Sequence, residues 1–153
     1  MTSLPYEEIL NSLKSEVPFF TDIKSIHRLE GGVTNINFKI VTENDCYVLR
    51  LSDPSSTVLG INRENEYINS IRAHQAGLGA EVVHRIVDKN ILILKWIDAK
   101  TISPIDIQHQ PSLIPRIANA LRSLHIGPSF QGEFDFPYIR KKYLEIVINA
   151  GYF

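Results

Sequence analysis

Leu29-Glu30-Gly31-Gly32-Val33-Thr34-Asn35, followed after a short gap by Tyr47-Val48-Leu49-Arg50-Leu51, decides how the chain reads. Ser25 to Glu30 and Asn37 to Thr42 are short β-type segments on either side of the Gly31-Gly32 break. Glu43-Asn44-Asp45 is a tight turn into a third strand at Cys46 to Leu51, where Tyr47, Leu49 and Leu51 alternate with Val48 and Arg50. Three antiparallel strands joined by short connections form a meander, which is too small to stand without a covering helix.

Outward from that meander, Pro5 to about Ser15 reads as a first helix, with Glu7 and Glu8 at the positive end of its dipole and Ile9, Leu10 and Leu13 as its apolar stripe. Ile61 to Gln75 reads as a second helix and is the expected cover of the meander, stopped by Gly77 and Gly79. Val82 to Val87 is a fourth strand. Ile91 to Ile97 is a fifth, apolar on both faces and therefore expected in the sheet interior. Pro104 and Pro111 read as a linker. A helix follows from about Ile114 to His125, and a last one from Tyr138 to about Asn149. That last helix carries Ile139, Tyr143, Ile146 and Val147 on one side and Leu144 and Ile148 on another. Apolar surface on several sides implies a partner, self-association or further chain.

Composition bounds the classes. The chain has 153 residues, 44% hydrophobic and 22% charged, enough to bury a core. With 16 basic and 17 acidic residues the formal charge is −1, and no basic stripe appears, which argues against a nucleic-acid partner. The N-terminus lacks a signal-peptide layout, no apolar run is long enough for a bilayer, and Cys46 is the single cysteine. A cytoplasmic protein without a membrane partner is the expectation. The five histidines lack paired metal-ligand spacing.

Gly31-Gly32 can bring backbone N–H groups close to an anion, with Thr34, Asn35 and Asn37 as further donors. Arg50 shares a strand face with Val48, and a carboxylate on the following helix, Glu66 or its neighbour Glu64, can hold such a cation in place. Alone, each feature has an ordinary reading: a hairpin turn, a solvated strand arginine, an exposed helical glutamate.

In this order, however, the parts resemble the choline kinase, ethanolamine kinase and aminoglycoside phosphotransferase family, most nearly the bacterial choline kinases. The likeness rests on the two segments quoted first and on Ile61-Asn62-Arg63-Glu64-Asn65-Glu66-Tyr67-Ile68-Asn69. Ile97-Asp98-Ala99-Lys100-Thr101-Ile102 and Ile117-Ala118-Asn119-Ala120-Leu121-Arg122-Ser123-Leu124-His125 also fit.

The resemblance implies an α+β fold: a protein-kinase-like N-terminal lobe, with a five-stranded antiparallel sheet and a covering helix, plus the first helices of a helical C-terminal lobe. Residues 1–24 would be a helical preface, 25–98 the nucleotide-binding lobe, and 99–153 the linker and start of a truncated C-terminal lobe. ATP would lie under Gly31-Gly32. Val48 would face the adenine, Arg50 held by Glu66 would engage the phosphates, and the strand Leu92 to Asp98 would read the base edge through the Lys95 carbonyl and the Ile97 N–H. Trp96 would pack at this hinge. The family's catalytic loop has a histidine, a base aspartate and a metal-binding asparagine, and no His-x-Asp with a following asparagine occurs after His125. The resemblance therefore places no catalytic residue and no Mg²⁺ ligand in this chain, which would be inactive alone. The substrate of the intact protein would be choline or a related small molecule. Two other readings stand beside this one: a non-catalytic nucleotide-binding module, and an interaction protein acting through its last helix.

Overall fold

The computed structural model describes residues 7–31, 34–52, 61–133 and 135–151. The fold is α+β. In chain order the elements are α1 (Glu7–Glu16), a 3₁₀ turn at Pro18–Phe20, β1 (Ser25–Leu29), β2 (Asn35–Val41), β3 (Cys46–Ser52), α2 (Arg63–Gln75), β4 (Val82–Ile86), β5 (Ile91–Lys95), α3 (Pro104–His109), α4 (Leu113–Ile126) and α5 (Phe136–Asn149). Pro5, expected to open α1, lies outside the described residues, as do Gly32 and Val33. The chain divides into two compact units, one of Met1–Ser52 with Val82–Ile97 and one of Asp53–Glu81 with Asp98–Phe153.

The first unit is built on one antiparallel sheet in the order β1-β2-β3-β5-β4. The alternation expected of the third strand is present in β3. In β3, Tyr47, Leu49 and Leu51 are buried and the residues between them are half-buried. β5 is buried at Ile91, Leu92, Ile93 and Leu94, as an interior strand with both faces covered must be. It ends at Lys95, two residues short of the expected Ile97, because the ladder with β3 stops at Tyr47–Lys95.

One sheet face carries the core. Phe38 and Ile40 of β2, Tyr47, Leu49 and Leu51 of β3, and Ile91 and Ile93 of β5 pack with Leu13, Val17 and Phe20. The helix in this cluster is α1, together with the 3₁₀ turn. Phe20 meets Tyr47 edge-on at 5.7 Å, and Phe19 lies 4.9 Å from the same ring.

The second unit is helical. Asn62 caps α2 by accepting the Asn65 N–H at 3.0 Å. α3 occupies part of the stretch read as a linker. Its Ser103 hydroxyl accepts the Asp106 N–H at 3.2 Å while the Asp106 carboxylate accepts the Ser103 N–H at 2.8 Å, a reciprocal cap followed by a proline in the first turn. Asp135 caps α5, which starts two residues earlier than Tyr138. Among the described residues of this unit Leu113 is the buried large apolar side chain, while Ile114, Leu121, Ile126, Phe136, Leu144 and Ile148 are exposed.

Candidate functional site

The strand register places the candidate residues. Residues opposite each other in an antiparallel pair share a face, as do positions two apart on a strand. Asn37 stands opposite Arg50, and Arg50 opposite Leu92. Lys39 stands opposite Val48, and Val48 opposite Leu94. Asn35, Asn37, Lys39, Val48 and Arg50 therefore lie on one face, with Leu92 and Leu94 beside them, and this is the face opposite the α1 core. Of the predicted cofactor-binding set, the sheet brings together Asn35, Asn37, Val48, Arg50 and Trp96.

Trp96 is fixed by its backbone and by its ring. Its N–H donates to the Cys46 carbonyl at 2.9 Å. Lys39 Nζ sits 4.0 Å from the centre of the indole, within the range of a cation–π interaction. Lys39 belongs to β2 and Trp96 follows β5, with β3 between the two strands. Sequence reasoning missed Lys39, although its i, i+2 spacing from Asn37 was a usable signal.

The Trp96–Cys46 bond also settles where the backbone of Lys95 points. Successive residues of a strand direct their N–H and C=O groups to opposite edges, so those of Lys95 turn away from β3. In the β4–β5 register the first β4 residue, Val82, stands opposite Leu94, so no β4 residue is opposite Lys95. The Lys95 side chain, by contrast, is ion-paired with Asp45 and lies 5.2 Å over the Tyr47 ring, on the core side. The hydrogen bond from Lys95 holds the Asp45 carboxyl below its usual range, partly opposed by desolvation. Burial pushes the Tyr47 hydroxyl up. Ile97 follows β5 and is exposed. A cavity of about 370 Å³ opens beside the β2–β3 turn, lined in part by Asp45, Cys46, Lys95 and Trp96.

Asn37 is the most telling polar group. Its Oδ1 is buried and has no hydrogen-bond partner. A buried acceptor left unsatisfied costs about 1–3 kcal/mol, and such a group in a folded protein calls for an explanation. Rotation of the amide can present either an acceptor or two donors to a ligand on this face. Gly31 precedes β2 with φ of 95°, a left-handed conformation that glycine adopts without strain, and nothing lies within 4 Å of where its Cβ would be. Thr34 is half-buried at the start of the β2 segment.

Glu66 belongs to the second unit. In α2 its carboxylate pairs with Arg63 Nη1 at 2.6 Å, one turn away, and the two side chains are 21% and 17% exposed. Glu64, the competing candidate, is exposed. Among the described residues no group of three or more His, Cys, Asp or Glu could hold a metal ion.

Comparison with known proteins decides the lineage: the sequence profile described as the phosphotransferase enzyme family matches residues 25–150. The chain belongs to that family. It is similar to a probable ethanolamine kinase of Arabidopsis thaliana, 29% identical over 106 residues, which are 66% of this chain and 27% of that protein. A choline/ethanolamine kinase family protein from Mesorhizobium loti superposes with a TM-score of 0.74 at 27% identity, covering 94% of this chain and 46% of that one. Choline kinase LicA from Streptococcus pneumoniae superposes at 0.76 with 22% identity, over 92% of this chain and 49% of its own. LicA in complex with AMP superposes at 0.67. The chain thus spans about half the length of these solved relatives. Their kinase-like fold agrees with the α+β lobe and five-stranded antiparallel sheet expected from the sequence. No helix of the described residues is long and apolar enough to cross a membrane.

Proposed function

We propose that the intact protein is an ATP-dependent small-molecule kinase that transfers the γ-phosphoryl group to a hydroxyl of choline or a related amino alcohol. The observation that carries this reading is the sheet face on which Asn37, with its buried and unsatisfied amide oxygen, stands opposite Arg50 and one row from Val48.

On that face the adenine rests against Val48, its edge read by the Lys95 carbonyl and the Ile97 N–H, with Trp96 closing the end. Arg50 neutralises phosphate charge and Glu66 orients it. The Gly31-Gly32 turn, with Thr34 and Asn35, brings donors to the phosphate oxygens. In the reaction the acceptor oxygen bonds to the γ-phosphorus as the bridging P–O bond to ADP breaks, and the hydroxyl proton goes to a base. That base, and the ligands that would hold Mg²⁺, would be residues outside this chain. By this reading the 153-residue chain binds nucleotide without turning it over, and residues 25–98 form the nucleotide-binding lobe, preceded by a helical preface at 1–24 and followed by the start of a C-terminal lobe at 99–153. A cytoplasmic setting suits an enzyme that uses ATP.

Calorimetry with Mg-ATP, paired with a choline-dependent turnover assay on the chain and on any longer native form, tests the reading. Micromolar to millimolar ATP binding by the chain, and choline-dependent ADP release by the longer form, are expected. ATP binding without turnover in the longer form leaves a non-catalytic nucleotide-binding module.

A second reading, a protein-interaction module that pairs with itself or a partner, is favoured by the exposed Phe136, Leu144 and Ile148 of α5. Sedimentation of a clean monomer at high concentration counts against self-association.

A further inference from the structure

Lys95 ends β5 and Trp96 follows it, and each is held by a charged side chain from the β2–β3 hairpin, on opposite faces of the sheet. The ladder between β3 and β5 runs one step past Tyr47 and Lys95, because the Trp96 N–H donates to the Cys46 carbonyl at 2.9 Å. Cys46 is two residues from Val48, so Trp96 sits on the face that bears Val48, and Lys95 on the core face with Tyr47. On the first face the Lys39 ammonium lies 4.0 Å from the centre of the indole. On the second the Lys95 ammonium pairs with Asp45, which also accepts the Tyr47 hydroxyl at 3.3 Å.

Both anchors are themselves fixed. Asp45 closes the hairpin turn on Thr42: its carbonyl accepts the Thr42 N–H at 2.9 Å, and its N–H donates to the Thr42 hydroxyl at 3.2 Å. Lys39 is in β2, paired with Val48 in an unbroken register from Asn35–Ser52 to Val41–Cys46. A chain leaving a sheet frays unless it is tied down. Here one backbone bond and two side chains tie it. Because the Trp96 N–H points at β3, the N–H and C=O of Lys95 are directed to the other edge. Holding these two residues therefore sets the direction of the Lys95 carbonyl.

We propose that Lys39 and Asp45 are positioning residues for base recognition: they hold Trp96 and Lys95 so that the Lys95 carbonyl selects a base with an exocyclic amino group. This stands on the kinase reading, in which that carbonyl meets the edge of the nucleotide's base. A carbonyl oxygen only accepts, so it pairs with the 6-amino group of adenine and finds no donor at that position on a purine lacking one. Lys39 acts through Trp96, and Asp45 through Lys95. In the same reading the phosphates lie one row away, at Asn37 and Arg50.

Calorimetric titration of the 153-residue chain with Mg-ATP and with the Mg complex of purine riboside triphosphate, which lacks only the 6-amino group, tests this. The unaltered chain is expected to prefer ATP about 10-fold, the effect of one hydrogen bond. Lys39→Met should weaken ATP binding about 5-fold, and Asp45→Asn about 3-fold, with the analogue changed less than about 2-fold in each. The preference for ATP thus narrows. Lys39→Arg, which keeps a cation for the indole, should restore it. The two variants act from opposite faces, so either stands alone if the other folds poorly. A merely loosened lobe weakens both ligands equally, and an unchanged preference in both Lys39→Met and Asp45→Asn overturns the proposal. So does an unaltered chain that binds the two triphosphates alike. If it binds neither, the kinase reading itself fails, and that result is in hand before any variant is compared.

Discussion

Asn37 and Arg50 face each other across the β2–β3 ladder, and the Asn37 amide oxygen is buried with no hydrogen-bond partner. Folding alone gives no reason to keep a polar group in such a place, where an apolar β-former would serve better. The proposed nucleotide on that face would supply the missing partner.

Asn37→Val should therefore separate stability from binding. Urea unfolding is expected to show a gain of about 1 kcal/mol, from removal of a buried amide oxygen that lacks a partner. Calorimetry on the same variant should show ATP binding weakened about 5- to 10-fold, the loss of one hydrogen bond to a charged or polar ligand. Loss of both stability and affinity would mean that the amide has a structural partner.

Lys39 and Trp96 offer an optical probe, because Trp96 is the single tryptophan. Lys39→Met removes the ammonium over the indole. The emission spectrum should change in the folded state but not in urea, and stability should fall by about 0.5–1 kcal/mol. In the unaltered chain, ATP should alter the same emission, since the base would settle beside this pair.

The covering role of α1 is tested by Leu13→Ala. Leu13 is 1% exposed within the sheet core. The variant is expected to lose about 2–5 kcal/mol by urea denaturation with an unchanged slope. A loss below 1 kcal/mol would mean that α1 is not part of the cooperative core.

The reciprocal cap of α3 gives a pH signature. Hydrogen bonds from Lys100 and Ser103 lower the Asp106 carboxyl from 3.8 to about 2. A depressed folded-state value means that the carboxylate stabilises the protein fully above the unfolded value. That contribution fades as the pH falls from about 3.8 towards 2. NMR titration of Asp106 should show this midpoint. Asp106→Asn should remove the associated acid dependence without altering stability trends above pH 5.

Much of this architecture could be read from residue patterns. The alternation in Tyr47 to Leu51 and the apolar run of Ile91 to Leu94 each carry a period or a length that only one element satisfies, and those elements are present. α3 escaped because Pro104 and Pro111 look like breakers; the reciprocal Ser103–Asp106 cap shows that Pro104 instead opens a helix. The sheet core also takes in α1 through long-range contacts of Leu13, Val17 and Phe20 that no local pattern displays. The same holds for the site. Val48 and Arg50 share a face by simple alternation, but the Lys39–Trp96 contact requires the strand order β2-β3-β5.

The whole account turns on Arg50 as the cation that meets nucleotide phosphates, and Mg-ATP titration of Arg50→Ala beside the unaltered chain measures this directly. Affinity should fall by about 10- to 100-fold, the loss of a charge-assisted contact, while the melting temperature shifts by no more than about 3 °C. Equal ATP affinity in a folded Arg50→Ala chain would contradict the account.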